Sequence, residues 1–86
     1  MHMAYIRNAD IEVNDMSDGV VLFDGRRNIV HHLNGPATLV WEVVEGREFD
    51  EVVAAVAQVM EISSAEAEAI ARESIDQLQQ IHALSE

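Results

Sequence analysis

Eighty-six residues make one domain, because two hydrophobic cores would need a longer chain. Sixteen acids against five arginines and no lysine leave a net charge of −11, which argues against nucleic acid, whose phosphates call for a basic surface. With no cysteine there is neither a disulfide framework nor a thiolate metal site.

The opening Met1-His2-Met3-Ala4-Tyr5-Ile6-Arg7 has no long apolar run and no cleavage pattern, so it does not read as a signal peptide. No stretch approaches the ~20 apolar residues of a membrane span. A cytoplasmic, soluble protein without a membrane partner is expected. His2 reads as an expression remnant, and residues 1–9 of the single domain 1–86 are expected to be disordered.

Ile11-Glu12-Val13-Asn14 alternates apolar and polar residues, which predicts a short half-buried strand. Asp15, Ser17, Asp18 and Gly19 then supply turn chemistry. Val20-Val21-Leu22-Phe23 is β-branched and aromatic, too short for a helix, and reads as a second strand. Asp24-Gly25-Arg26-Arg27-Asn28 is a hairpin turn, and Ile29-Val30-His31-His32-Leu33 returns as the third strand. Ile29, His31 and Leu33 project to one face of that strand, Val30 and His32 to the other.

Asn34 can cap a helix with Pro36 in its first turn. Ala37, Val40, Trp41 and Val44 follow at helical spacing, and Gly46 ends the segment. Asp50 is the expected cap of a second helix with Val52, Val53, Val56, Val59 and Met60 inward. Ser63-Ser64-Ala65-Glu66 is a capping box that opens a third helix, expected from about Ala65 to Leu84. Its apolar stripe is Ala67, Ile70, Ala71, Ser74, Ile75, Leu78 and Ile81. Strands followed by helices imply an α+β, winged-helix-like domain: a three-stranded antiparallel sheet, then three helices. Such a sheet has two edges that nothing covers.

Several sharper readings lose to plainer ones. His31 and His32 are strand neighbours that point to opposite faces, so no shared metal ion is expected. Trp41 falls in register with Ala37 and Val44 and is expected in the core, not as a surface anchor. The carboxylates form no recognisable acid/base pair, no Gly-rich phosphate loop occurs, and Ser74 has no base at readable spacing. Neither catalytic residues nor a cofactor are expected; the chain does not read as an enzyme.

The run Leu22-Phe23-Asp24, then His32-Leu33-Asn34, then Ala37, Trp41 and Gly46 resembles the signature of PqqD-like proteins. The similarity continues through the valine-rich second helix and Ile75-x-x-Leu78, spanning about Asp18 to Leu84. The resemblance implies a recognition element for ribosomally made, modified peptides. It would bind the leader of a precursor peptide as an extra strand on the third strand, beside the third helix. The Asp24-x-Arg26-Arg27 turn looks most like the stand-alone lasso-peptide versions, whose neighbouring partner is a leader-cleaving protease. The chain departs from the family at Asn28 and near His82, where Gly is usual, and at Val30 and His31, where aromatics are common.

By strand addition, the main chain of Asn28, Val30 and His32 would meet the leader, with Ile29 and His31 alongside. Ile70, Ser74, Gln77 and Ile81 would line the helix side. Ala71, Ile75 and Leu78 point more to the core, although Leu78 is counted among the peptide-binding residues, and Glu73 and Asp76 could meet basic leader residues at the rim. The expected function is non-catalytic leader binding and delivery to a modifying or processing enzyme, a lasso-peptide leader protease first. Alternatives are a partner of a radical enzyme in PQQ-type cofactor biosynthesis and a winged-helix protein-interaction module. A DNA-binding winged helix lacks Arg and Lys in the second helix, an acyl carrier lacks an Asp before Ser63 or Ser64, and an oligomerisation module would use the same open edge.

Overall fold

A computed structural model describes residues 4–85; His2 lies outside them. The first element was not suggested by the sequence. β1, Ile6–Arg7, pairs antiparallel with β5, Leu84–Ser85, at the other end of the chain. Residues 4–9, expected to be disordered, are tied down by long-range bonds. The Tyr5 N–H donates to the Arg47 carbonyl and the Gly46 N–H to the Tyr5 carbonyl, both at 2.9 Å. Asn8 donates from its amide to the Ala83 carbonyl and from Nδ2 to the His82 carbonyl. A two-residue strand carries no readable periodicity, and partners this distant in sequence leave no local trace.

The main sheet has the expected three antiparallel strands in the order β2 (Ile11–Met16), β3 (Gly19–Asp24), β4 (Ile29–Leu33). β2 runs two residues further than its alternation suggested, with Met16 opposite Gly19. Asp15 is therefore a strand residue, and Ser17-Asp18 alone make the turn. Gly19 is required there: at φ +150° an added Cβ would lie 2.5 Å from the Leu33 carbonyl oxygen. The helix-facing side of the sheet carries Ile11, Val20, Leu22 and Leu33, all buried.

Three helices follow: α1 (Gly35–Val43), α2 (Phe49–Met60) and α3 (Ser64–Gln80). Asn34 caps α1 as expected, its Oδ1 accepting from the Ala37 N–H at 2.8 Å. The cap of α2 is Glu48, not Asp50. Glu48 has the extended backbone a cap needs, and the Glu51 carboxylate accepts its N–H at 3.0 Å, which leaves Asp50 in the first turn. Ser63 and Glu66 form the capping box of α3.

α3 stops at Gln80 and does not reach Leu84. His82 adopts a left-handed φ of 62°, and the His82 and Ala83 N–H groups turn back to the Gln79 and Leu78 carbonyls. This is a Schellman ending, in which the left-handed position favours glycine. It redirects the chain so that Leu84 can pair with Arg7.

The extents of 37 × 35 × 16 Å suit two layers. Among the described elements α1 alone links the main sheet to the helices, since it approaches both β3 and β4, while α2 and α3 pack on α1 and on each other. Leu22, Val40, Val44, Val52, Val56 and Leu78 are fully enclosed, each worth roughly 1.5–3 kcal/mol of burial. Trp41 is in this core as expected, and Arg7 stacks over its ring at 5.1 Å.

Candidate functional site

In an antiparallel strand, residues alternate between directing their main chain to one neighbour and to the other. The Val20 N–H donates to Thr38 Oγ1 at 3.1 Å, and that hydroxyl donates to the Leu33 carbonyl at 3.3 Å. Val20 therefore faces β4, and so do Leu22 and Asp24. Their partners Leu33, His31 and Ile29 bond inward, which turns the N–H and C=O groups of Val30 and His32 outward along β4. No strand pairs with that edge among the described residues. Thr38, which anchors the root of this edge, was not singled out in the sequence; its only signal was a hydroxyl in the first turn after Pro36.

The turn before β4 is locked. Asp24, 2% exposed, accepts the Arg26 and Arg27 N–H groups on Oδ1 at 3.0 and 3.3 Å and the Arg27 guanidinium on Oδ2 at 3.0 Å. The Arg27 guanidinium, helped by these amides, holds the Asp24 carboxyl below its ordinary value against the opposing effect of burial. Asn28 closes the turn at φ 56°, a left-handed conformation that Asn tolerates better than most residues.

No Cα of β4 comes within 8 Å of α3, although α1 approaches both. β4 and α3 are thus apart, and α1 packs against both. On β4, Ile29 and Val30 are 43% and 52% exposed, His32 is exposed and His31 half-buried. On α3, Ile70 and Gln77 share one flank at helical spacing, and Ile81, the capping residue just past its end, follows in the same register. Ile70 and Ile81 are half-buried against the core, and Gln77 is exposed. Ser74 is almost enclosed. Leu78 has no exposed surface: it shares the inward face with Ala67 and Ala71, so it belongs to the core and not to a surface that a peptide touches. Glu73 and Asp76 lie elsewhere, around a hollow on the outer flank of α3 beside Tyr5 and Phe49. A second hollow, at the base of the sheet, includes His32. Neither hollow includes Ile70, Gln77 or Ile81.

The two open edges of the sheet differ in charge. Within its own span β2 carries Glu12 and Asp15, with Asp10 and Asp18 on its flanks, whereas β4 itself carries no Asp, Glu, Lys or Arg and has only Arg26 and Arg27 in the turn before it. Charged side chains are a common guard against edge pairing, so β2 is protected and β4 is left receptive. The cross-strand partners of His31 and His32 are Leu22 and Val21, on opposite faces of the sheet. Among the described residues no three His, Cys, Asp or Glu side chains converge as metal ligands, and no helix is long and apolar enough to cross a membrane.

A three-stranded antiparallel sheet with three helices and one uncharged free edge defines an α+β domain of winged-helix type. Residues 19–84 match the family described as coenzyme PQQ synthesis protein D, and the chain belongs to this PqqD family. Its fold is similar to that of TbiB1 in complex with the TbiA(beta) leader peptide, at 18% identity and a TM-score of 0.81, covering 93% of this chain and 94% of that one. It is also similar to a lasso peptide synthetase B1 complexed with the leader peptide, at 21% identity and a TM-score of 0.82, covering 98% and 100%. No curated protein sequence matches the chain.

Proposed function

We propose that this protein is a non-catalytic adaptor that binds the leader region of a ribosomally synthesised precursor peptide by adding it as a strand to β4. The single observation that carries this reading is the uncharged, unpaired edge of β4, which stands apart from α3. Family membership and the leader-bound structures of similar fold support it.

The outward N–H and C=O groups of Val30 and His32 offer four hydrogen bonds. At about 0.5–1.5 kcal/mol net each they supply roughly 2–6 kcal/mol, short of the ~8 kcal/mol of micromolar affinity. The rest must come from side chains. An added strand alternates its side chains between the two faces, so every second one enters the space between β4 and α3. The side-chain contacts in this reading are Asn28, Ile29 and His31 on the strand side and Ile70, Ser74, Gln77 and Ile81 on the helix side.

Val30→Pro removes an outward amide while leaving the bonds to β3 in place. Calorimetry with a precursor leader peptide that the wild-type chain binds should show binding lost and the thermal midpoint of the domain retained; an unchanged affinity rejects β4 as the docking edge. The adaptor delivers the leader to an enzyme, a lasso-peptide leader protease in the favoured case. The wild-type chain should then accelerate leader cleavage by that protease, and Val30→Pro should not. The family's description, coenzyme PQQ synthesis, makes a radical-enzyme partner the second reading, and stimulation of that enzyme instead of the protease would select it.

A further inference from the structure

We propose that the outer flank of α3 is a second docking surface, which receives a basic segment of a partner protein while β4 remains free for its own ligand. A hollow of about 660 Å³ opens there between Tyr5, the start of α2 and α3. Its volume is in the range of sites that take a small molecule or a few side chains. The floor is apolar: Tyr5 and Ile75 are buried and Phe49 is half-buried. The rim is acidic, with Glu73 and Asp76. Arg72 does not offset them, because Glu68 already pairs with its guanidinium at 2.9 Å and Phe49 lies beneath it at 4.8 Å.

An apolar floor under a carboxylate rim fits a Lys or Arg side chain, whose aliphatic stem packs on carbon while its head meets the acids. The overall charge of −11 repels nucleic acid, an anionic lipid surface and a second copy of this chain. A cationic polypeptide matches both features, its Lys or Arg heads the carboxylate rim and its side-chain stems the apolar floor. The flank is also distinct from the proposed leader side: Ala69, Arg72, Asp76 and Gln79 recur at helical spacing on the side of α3 away from Ile70, Gln77 and Ile81. A partner seated here would leave β4 uncovered, so both could be bound at once. The proposal goes beyond the leader-binding reading and does not depend on it.

The test is an amide NMR titration of the full chain with acetyl-Leu-Arg-Leu-Arg-amide, its Glu counterpart acetyl-Leu-Glu-Leu-Glu-amide, and spermidine. Saturable shifts are expected at Ala69, Arg72, Asp76 and Gln79 with the Arg peptide alone. They should persist in Val30→Pro and weaken about tenfold in Asp76→Arg and in Glu73→Arg. Both positions are exposed, and unchanged thermal melts verify that these variants fold. Equal shifts with the Glu peptide or spermidine, no saturable shift, or shifts confined to β4 that vanish in Val30→Pro would each overturn the proposal. Failure of the leader reading registers separately, as leader affinity that survives Val30→Pro.

Discussion

Asp24 shows how one side chain sets the geometry of an edge. It ends β3 opposite Ile29, the first residue of β4, and its carboxylate gathers two amides and a guanidinium from the intervening turn. Its lowered folded value fixes the sign of a pH effect. A carboxyl of this kind contributes stability that is complete above its unfolded value, near the ordinary 3.8, and is lost as pH falls through the lower folded value. Asp24→Asn keeps an acceptor for the amides but loses the charge facing Arg27. The variant should melt below the wild type at neutral pH, and the gap should close in acid below 3.8; a gap independent of pH would show that charge is not the cause. Asp24 and Asn28 were legible as turn residues because turns are made by neighbours in sequence. Thr38 was not, because its role is to join Val20 to Leu33 across a break in the ladder.

The elements themselves were read well where their signals are local. The caps Asn34 and Ser63 lie where the sequence put them, and β3 and β4 follow from β-branched runs bounded by turn residues. The end of α3 was missed because His82 is an ordinary residue in a position that favours glycine. A non-glycine left-handed residue costs about 1–2 kcal/mol. Glycine at this position, His82→Gly, should therefore stabilise the domain by about 1 kcal/mol, measured as a higher urea midpoint with unchanged slope. A fall in midpoint would mean that the His82 side chain contributes more than its backbone costs. The rotation of α3 is a similar case. Helical spacing already turned Ala71, Ile75 and Leu78 toward the core and Ile70 and Ile81 to one side, but a one-residue change of register rotates the set by about 100°. Packing on α1 and α2 fixes Leu78 as enclosed and Ile70 and Ile81 as half-buried.

Across the whole molecule, charge is the dominant global property. At −11 on a chain of 86 residues, the folded state brings like charges together and repels itself. Raising salt from about 10 to 150 mM shortens the screening length from roughly 30 to 8 Å and should raise the thermal midpoint; a constant or falling midpoint would show that local ion pairs such as Arg72 with Glu68 outweigh the general repulsion. The same acids leave the two edges of the sheet unequal, guarding β2 and sparing β4. By itself the amino-acid sequence determined β2, β3 and β4, the three helices, the Asn34 and Ser63 caps, the acidic balance and the family resemblance, because each depends on residue type and spacing over a few positions. Tertiary structure alone decided that β1 closes against β5, that α1 packs against both β4 and α3, and that a hollow opens on the far flank of α3. Those features come from contacts between residues far apart in the chain, and such contacts exist only after the elements have packed.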